Sequence, residues 1–515
     1  MVLCTTLAAR QYRAMYFVYL HDKANTPFSL STPEDYLSER AIERRTRFSI
    51  PIDSADIPVN TAYINQITAT GATLYHTSRW MNGVMVYASS TQLQDILNLA
   101  FVDSAEQIRP AVAIAKPKHN KIKKFDNQAS VYVGQNHQIG ADSLHDAGFR
   151  GQGKLVAVID AGFPETNTLE GFDSLRNRGG IVHTYDFVHD TSYVYWEHEH
   201  GSMVLSTMAF NLPGEFIGTA PDADYMLFIT ENNNEEYLYE SDLLTCAMET
   251  ADSAGADVIT ASLGYYFTDD DDPQFVYNNM DGRHFRNSRA ATMAAERGII
   301  VCIAAGNEGD SDWHYIDTPA DADSILCIGG VDSQGAHSYF SSYGPSADNR
   351  IKPEVCALAT AAEVASIYPY WGNTTYSNGT SFATPIAAGA IASLLSAVPD
   401  VNPALVRHTL LQTASQATNP DNTLGYGILN VWGAYQALNN EPTAIAYTEA
   451  HPRITACINN ELLLIDNYTG VFSLYDIAGH LVITDRYDAP FALPQLAAGV
   501  YFLHLQSDTI KIIYQ

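Results

Sequence analysis

The sequence predicts an α/β protein built around a mostly parallel sheet that helices cover on both faces. Between residues 131 and 438, short and almost continuously apolar runs alternate with helical stretches. Such runs are typical of strands buried on both faces of a parallel sheet. A small α+β module precedes this region, and short alternating strands that predict a small β-sandwich follow it. The clearest strand-like runs of the central region are residues 155–159, 257–260, 299–303 and 325–328.

The chain begins with two segments of different character. Residues 1–14 hold a brief apolar piece without a basic start, which indicates either a shortened signal region or a misplaced start of the chain. Residues 15–112 predict the α+β module, with strand-like runs at 16–20 and 84–88 and a charged helix at 38–47. No residue of this module suggests a reaction.

A basic linker separates this module from the predicted parallel sheet. Residues 113–130 include the run KPKHNKIKK at 116–124, which contains a proline and has no periodicity. Such a run predicts an exposed linker, and exposed linkers of this kind are also frequent sites of processing. The sheet region, residues 131–438, is followed by the predicted β-sandwich, residues 439–515.

Composition limits the class of function. With 46% hydrophobic and 17% charged residues, the 515-residue chain is typical of a globular protein with a sizeable core. A net charge of −30 argues against binding of nucleic acid, whose phosphates would repel it. No apolar run approaches the roughly 18 residues that a membrane span needs. The six cysteines have no metal-type spacing, so we interpret most of them as buried free thiols and leave one disulfide open.

A serine precedes a segment of small apolar residues near the end of the sheet region. Ser381 lies in NGTSFATP, and residues 386–397 (IAAGAIASLLSA) predict a closely packed, buried helix. Pro385 suits the first helical turn, where the missing N–H has little effect. We therefore expect Ser381 at a helix N-terminus, where backbone N–H groups would stabilise an oxyanion. Taken alone, such a segment is more often an ordinary helix cap.

Three further polar residues complete a set for nucleophilic catalysis. Asp160 follows the strand-like run LVAVI, His200 lies in EHGSMV, and Asn307 lies in AAGNEG. A serine hydroxyl needs a base to take its proton, a carboxylate to orient that base, and a donor for the developing oxyanion. These residues and Ser381 supply the four groups, in the chain order Asp, His, Ser that the subtilisin arrangement has.

On these motifs, residues 131–436 resemble the subtilisin-like serine peptidases, or subtilases. The resemblance implies a three-layer α/β domain with Asp160 as the orienting acid, His200 as the general base and acid, and Ser381 as the nucleophile. It also implies that Asn307 and the backbone N–H of Ser381 form the oxyanion hole. The implied reaction is peptide hydrolysis through an acyl-enzyme.

One strand-end segment resembles the substrate-binding strand of the family. Ser262, Leu263 and Gly264 would pair with the extended backbone of a substrate as an added strand. Two positions depart from the family pattern: Ala161 stands where Thr or Ser is common, and Met203 stands where a second His is frequent. Neither departure removes a catalytic group.

The flanking regions also resemble known companions of such enzymes. SERAIERR at 38–45 and SRWMN at 78–82 resemble the pro-region of secreted subtilases, which assists folding and acts as an intramolecular inhibitor until it is cleaved. Residues 474–481 and 498–502 resemble the sorting domain of the type IX secretion system. Such domains usually have more basic residues at their C-terminal end, where this chain has only Lys511. This implies interaction with that secretion machinery and export by a Gram-negative bacterium to its surface or medium.

The resulting hypothesis is a secreted, zymogenic serine endopeptidase acting on protein or peptide substrates. We expect a monomer with no required cofactor, with calcium as an optional ligand. One alternative is a catalytically silent binding protein on the same scaffold, and another is a metallopeptidase that uses His198 and His200 as ligands. The acidic run at 269–272 fits a solvated loop, a cation site or a selector of basic substrate residues.

Overall fold

The computed structural model describes residues 13–111, 134–368 and 372–440, and a set of strands between residues 455 and 514. The chain divides into two compact units, Met1–Asn440 and Glu441–Gln515. The larger unit contains both the N-terminal module and the parallel sheet. Most of the predicted signal region and the whole predicted linker, 113–130, lie outside the described residues.

The N-terminal module has the α+β composition that its sequence predicts. Its strands and helices are β1 (Ala14–Leu20), α1 (Glu39–Arg47), α2 (Thr61–Ala69), β2 (Thr73–Ser78), β3 (Gly83–Ala88), α3 (Ser90–Leu97) and β4 (Val102–Arg109). The strands form one antiparallel sheet in the order β2-β3-β1-β4. Polar residues cap its helices: the Ser38 side chain accepts the N–H of Ala41, and Ser89 and Gln92 form a capping box around α3.

A seven-stranded parallel sheet forms the centre of the larger unit, which confirms the predicted fold class. The strands of this region are β5 (Leu155–Asp160), β6 (Ile181–Asp186), β7 (Asn211–Leu212), β8 (Phe216–Ile217), β9 (Asp224–Ile229), β10 (Val258–Ala261), β11 (Ile300–Ala304), β12 (Leu326–Val331), β13 (Val355–Leu358), β14 (Ala362–Ala365) and β15 (Thr374–Ser377). The sheet has the order β13-β12-β11-β10-β5-β9-β6, and each adjacent pair in it is parallel. The pairs β7–β8 and β14–β15 are short antiparallel hairpins.

Helices cover both faces of this sheet and make it the middle of three layers. They are α4 (Gln135–Gln138), α5 (Ala141–Asp146), α6 (Asp173–Asn177), α7 (His200–Ala209), α8 (Leu238–Ala254), α9 (Arg286–Glu296), α10 (Thr380–Ala397), α11 (Pro403–Thr413) and α12 (Val431–Asn440). On β5, Val156 and Val158 belong to the core that α7 and α10 share. Leu155, Ala157 and Ile159 belong to the core that α8 and α9 share. Strands buried on both faces explain why their sequences are apolar throughout.

Helix α10 begins earlier than the sequence predicts. It starts at Thr380, so Ser381 lies in its first turn, and Pro385 lies inside the helix rather than in that turn. The prediction for Pro385 was therefore wrong. Contrary to the expectation from the sequence, α10 is long and apolar enough to cross a membrane. However, 89% of this stretch is buried inside the protein, as in the core helix of a globular protein.

The N-terminal module packs against α8 through a buried cluster of charges. Asp252 is fully buried and accepts hydrogen bonds from Arg44 at 2.5 Å, Arg45 at 2.9 Å and Arg79 at 2.6 Å. The carboxylate of Glu249 accepts the backbone N–H of Arg79 at 2.9 Å. Buried charges are tolerated when they are paired and hydrogen-bonded in this way. The arginines come from the two stretches, 38–45 and 78–82, that resemble a pro-region.

The smaller unit consists of short antiparallel strands, as expected of a small β-sandwich. Its strands are β16 (Thr455–Asn459), β17 (Leu462–Asp466), β18 (Gly470–Asp476), β19 (Leu481–Tyr487), β20 (Phe491–Ala492), β21 (Gly499–His504) and β22 (Thr509–Tyr514). One sheet has the order β16-β17-β20 and the other the order β19-β18-β21-β22. Leu463 from the first sheet and Phe472, Leu474 and Leu503 from the second are fully buried.

Candidate active site

A carboxylate and an imidazole form a buried, hydrogen-bonded pair at the carboxyl end of the sheet. Asp160 is the last residue of β5, and His200 is the first residue of α7. His200 Nδ1 lies 2.8 Å from Asp160 Oδ1. Because an ionised carboxylate only accepts hydrogen bonds, Nδ1 carries a proton, and in the neutral imidazole Nε2 is then the nitrogen with the lone pair. Within the described part of the chain, this buried Nε2 has no hydrogen-bond partner.

The surrounding backbone holds this pair in place. The N–H of Ala161 donates to Asp160 Oδ1 at 2.7 Å. The N–H of His200 donates to His198 Nδ1 at 3.2 Å, so the imidazole of His198 caps the first turn of α7. A Cβ at Gly201 would lie 2.3 Å from a backbone oxygen and 3.0 Å from the Cβ of Asp160. Only glycine therefore lets α7 start this close to the end of β5.

Ser381 lines the same cleft as His200. Its Oγ donates a long hydrogen bond of 3.4 Å to the carbonyl oxygen of Ser262. The structure thus pairs Asp160 directly with His200, and it places Ser381 in the cleft that His200 lines, with the serine hydroxyl bonded to Ser262 instead of to the imidazole. In sites without a bound substrate, the hydrogen bond between a nucleophile and its base is often long or poorly aligned.

Ser262 also explains how Pro385 fits inside α10. In a regular helix, the N–H of residue 385 would donate to the carbonyl oxygen of Ser381, but proline has no N–H. Ser262 Oγ fills this position and donates to the Ser381 carbonyl oxygen at 2.7 Å. The backbone of the serine is thereby held from the end of β10 rather than from its own helix. This contact joins residues that are 119 positions apart in the sequence.

Asn307 is oriented by the residue that precedes Ser381. Its Oδ1 lies 2.9 Å from the N–H of Thr380 and 3.1 Å from Thr380 Oγ1. A backbone N–H can only donate, so this side of the amide must be the oxygen. The amide NH2 is then on the opposite side, and Asn307 lines the cleft beside Ser381.

Ser262, Leu263 and Gly264 line the cleft directly after β10, where the sequence predicts the substrate-binding segment. Several other lining residues were not anticipated. They are Glu231 and Glu236 from the loop after β9, Tyr266 and Phe267 from the loop after β10, and Glu308 and Asp317 from the loop after β11. The signal that could have found them is their position after the carboxyl ends of parallel strands, where sites of open α/β sheets form.

The acidic run at 269–272 does not line the cleft. Its first residue, Asp269, is instead tied to Glu236 by two hydrogen bonds. The N–H of Asp269 donates to the Glu236 carbonyl oxygen at 2.7 Å, and the N–H of Glu236 donates to Asp269 Oδ2 at 2.9 Å. Asp270 and Asp271 are exposed. The run therefore supports a cleft-lining residue from outside the cleft.

The two histidines are arranged for hydrogen bonding. His200 Nδ1 is bound to Asp160, and His198 Nδ1 accepts a backbone N–H. Among the residues that the structure describes, no group of three or more His, Cys, Asp or Glu side chains could hold a metal ion. This arrangement does not favour the metallopeptidase alternative. The described residues also assemble no such group for the optional calcium.

Comparison with protein families identifies two matching regions. The model described as the subtilase family matches residues 151–427, which include every cleft residue named above. A model described as the peptidase S8 propeptide domain of Bacteroidota matches residues 15–125. The family-level resemblance and the pro-region predicted from the sequence are thereby confirmed.

Several curated relatives and solved structures are similar to this chain. Subtilisin DY from Bacillus licheniformis is 32% identical over 305 residues, which cover 58% of this chain and 96% of that protein. Subtilisin NAT from Bacillus subtilis subsp. natto is 30% identical over 369 residues, which cover 68% of this chain and 87% of that protein. The crystal structure of MycP1 with its N-terminal propeptide removed is 22% identical, with a TM-score of 0.46, and the match covers 58% of this chain and 96% of that chain.

Proposed function

Since the chain belongs to the subtilase family and is a subtilisin-like serine peptidase, we propose that it cleaves peptide bonds through an acyl-enzyme on Ser381. In this proposal Asp160 and His200 complete the catalytic triad. The observation that carries it is the buried Nε2 of His200, which has no hydrogen-bond partner among the described residues, while His200 and Ser381 line the same cleft. An imidazole held in this tautomer can accept the proton of a nucleophile.

The reaction follows from the properties of these groups. The Ser381 hydroxyl leaves the Ser262 carbonyl oxygen and turns toward His200 Nε2. As Oγ attacks the substrate carbonyl carbon, Nε2 takes its proton, and Asp160 stabilises the resulting imidazolium. The same proton then passes to the leaving amine, and the acyl-enzyme forms. A water molecule, deprotonated by Nε2, hydrolyses the ester and restores the hydroxyl.

The negative charge that develops on the substrate oxygen needs donors. We propose the side-chain NH2 of Asn307 and the backbone N–H of Ser381. The orientation of the Asn307 amide by Thr380 supports the first, because its oxygen is bonded to Thr380 and its NH2 group lies on the other side of the amide. The second is one of the first N–H groups of α10, which have no acceptor within the helix. Removing one such donor usually lowers kcat about 100- to 1,000-fold.

The backbone of the substrate is proposed to bind along Ser262, Leu263 and Gly264. These residues directly follow β10, which ends at Ala261, and they line the cleft. An extended peptide can add to such a segment through main-chain hydrogen bonds, which are independent of sequence. Contacts of this kind suit an endopeptidase that acts on protein chains.

The propeptide makes the chain an intramolecularly inhibited zymogen. Its docking through Asp252 supports a stable complex before activation. We propose that residues 15–112 form the inhibitory unit, that residues 131–438 form the catalytic domain, and that the cut falls in the linker, 113–130. The basic run in this linker would then serve as the first substrate of the enzyme.

We further propose that the enzyme is exported to the cell surface or the medium. The resemblance of residues 439–515 to a type IX sorting domain and the match of the propeptide to a Bacteroidota model support this. Deleting residues 441–515 should leave peptidase activity inside the cells of a bacterium that has this secretion system. Equal release of the full-length and shortened proteins would contradict the proposal.

The proposed catalytic role of Ser381 is tested by labelling with a fluorophosphonate, which reacts with activated serines. The processed wild type should be labelled at Ser381 in a 1:1 ratio, while the Ser381→Ala variant should not react. Ser324→Ala, which changes an exposed serine, is the matched control and should be labelled like the wild type. Failure of the processed wild type to react would favour a catalytically silent binding protein.

A further inference from the structure

The cleft contains a buried carboxylate at a position where it can recognise a substrate side chain. We propose that the enzyme selects a lysine or arginine as the residue whose carbonyl is attacked, the P1 residue, and that Asp317 recognises its positive charge. This inference rests on the proposed function and specifies the substrate class of the same site. In peptidases the pocket that receives the P1 side chain sets such a preference.

Asp317 lies between the two backbone segments that form the walls of the cleft. A Cβ at Gly264 would lie 3.0 Å from Asp317 Oδ2, and a Cβ at Gly306 would lie 2.5 Å from the same oxygen. Both wall positions are therefore glycine, and the carboxylate occupies the space that their side chains would need. Asp317 is only 4% exposed and is one of the residues that line the cleft.

Backbone hydrogen bonds connect the segment around Asp317 to both walls of the cleft and fix the position of this residue. The N–H of Asp317 donates to the carbonyl oxygen of Ala305 at 3.3 Å. The next residue, Thr318, exchanges two backbone hydrogen bonds with Tyr265, at 2.9 and 3.1 Å. These contacts connect the loop after β11 with the ends of β10 and β11. A carboxylate on such a pinned segment is better suited to recognition than one on a free loop.

The distance from the nucleophile to this carboxylate suits a long side chain. Ser262 Oγ donates to the carbonyl oxygen of Ser381, so Ser262 lies at the end of the cleft where the proposed nucleophile is. Gly264, which contacts Asp317, is two residues further along, which corresponds to at most about 7 Å of extended chain. A lysine or arginine at P1 can span this distance from the attacked carbonyl to the carboxylate.

The charge of the cleft favours the same substrates. Glu231, Glu236 and Glu308 line it together with Asp317, and none of the described lining residues is lysine or arginine. The pKa of the Tyr266 phenol is raised by burial and by the charges of Glu308 and Asp317. The negative potential of these groups reaches the cleft wall and would attract a cationic side chain.

A cationic ligand also suits the chemistry of a buried carboxylate. Trp313 Nε1 donates to Asp317 Oδ1 at 3.1 Å, and a carboxylate can accept several hydrogen bonds through its two oxygens. Charge-assisted bonds from a lysine or arginine are about twice as strong as bonds between neutral groups. A neutral P1 side chain would not form such a bond.

The chain itself contains a substrate of the proposed kind. Five of its nine lysines fall within residues 116–124, in the linker between the propeptide and the catalytic domain. This is the segment in which the first cleavage is proposed. A preference for lysine at P1 would therefore make the enzyme competent to cut its own linker.

The preference is tested with the processed enzyme from the full-length chain and with fluorogenic peptides that differ only at P1. Lysine and arginine should give a kcat/KM at least about 30-fold above that of leucine, phenylalanine or Nε-acetyl-lysine. The acetylated residue keeps the length of lysine and removes the charge. Equal kcat/KM values for the lysine and Nε-acetyl-lysine peptides would overturn the inference, and this comparison needs no variant protein. In that case, cleavage of the neutral peptides would still support the proposed function.

Asp317→Asn tests the assigned residue, because it removes the charge and keeps the side-chain shape. It should lower kcat/KM for the lysine and arginine peptides at least about 30-fold and change the value for leucine less than about threefold. Asp312→Asn, on the exposed surface of the same loop, is the matched control and should change neither. An unchanged preference in Asp317→Asn would overturn the assignment. Absence of all cleavage and of fluorophosphonate labelling in the wild type would overturn the proposed function itself.

Discussion

Replacing Asp252 with asparagine should weaken the hold of the propeptide on the enzyme. Asp252 is fully buried and accepts hydrogen bonds from Arg44, Arg45 and Arg79 of the propeptide. Asparagine keeps the shape and one acceptor oxygen but removes the negative charge. The three guanidinium groups would then remain buried with less compensation, and burial already lowers the pKa of Arg44 to about 10.

The size of this effect follows from the burial of the cluster. Breaking a buried ion pair by removing one partner usually costs about 3–5 kcal/mol. Because asparagine still accepts one hydrogen bond, we take the lower limit of about 3 kcal/mol, which corresponds to a roughly 150-fold weaker complex. Asp222→Asn is the matched control, since it breaks the partly exposed pair with Arg150 and should change stability by at most about 1 kcal/mol.

The assay follows the full-length proteins during activation. In wild type, the cleaved propeptide should remain bound and delay the appearance of activity, whereas in Asp252→Asn it should separate during gel filtration and the delay should shorten. After removal of the propeptide, both enzymes should unfold at similar temperatures, because Asp252 no longer meets the arginines. An equal delay and equal co-elution in the two proteins would refute the role of this cluster.

Three further predictions concern the interface and the active site. Burial lowers the pKa of His76, whose Nε2 lies 2.7 Å from the Phe187 carbonyl oxygen, so the docked state binds fewer protons than the free one. Docking should therefore weaken as the pH falls below about 6.5, and His76→Gln should flatten this dependence in a co-elution series. Asp160→Asn should lower kcat about 10,000-fold in peptide assays, because the imidazole loses its tautomer control. Ser262→Ala should destabilise the enzyme by about 1–3 kcal/mol in thermal unfolding, because the Ser381 carbonyl oxygen loses its donor.

Each of these predictions has a result that would contradict it. Propeptide binding that is equal at pH 5 and pH 7.5 would exclude His76 as the pH-dependent group. A kcat in Asp160→Asn within tenfold of wild type would remove Asp160 from the triad. Unchanged stability in Ser262→Ala would mean that Pro385 is accommodated in another way.

The parallel sheet and the positions of the proposed catalytic residues could be predicted because both depend on local patterns. Strands buried on two faces are apolar along their whole length, and polar residues directly after them, such as Asp160 and Asn307, stand out. The carboxyl ends of parallel strands meet at one edge, which brings such residues together. The motifs around these residues also resemble those of a known family. The strand pattern predicts where the residues lie, and the resemblance implies the role of each.

Other features depend on contacts between distant parts of the chain. Pro385 was expected in the first turn of α10, since no local feature indicates that Ser262 replaces the missing hydrogen bond. Asp317 was not anticipated because its loop is positioned by the backbone pairing of Thr318 with Tyr265. The arginines of the propeptide were visible in the sequence, but their partner Asp252 lies more than 170 residues further along the chain.

The most direct test of the central claim is the intact mass of the purified full-length wild type and of its Ser381→Ala variant. If Ser381 is the nucleophile of a self-processing peptidase, the wild type should be cut within the linker, at or near residues 116–124. The variant, prepared in the same way, should keep the full mass. The claim would be contradicted if both proteins were cut at the same bond. It would also be contradicted if neither protein were cut and the wild type left denatured casein intact.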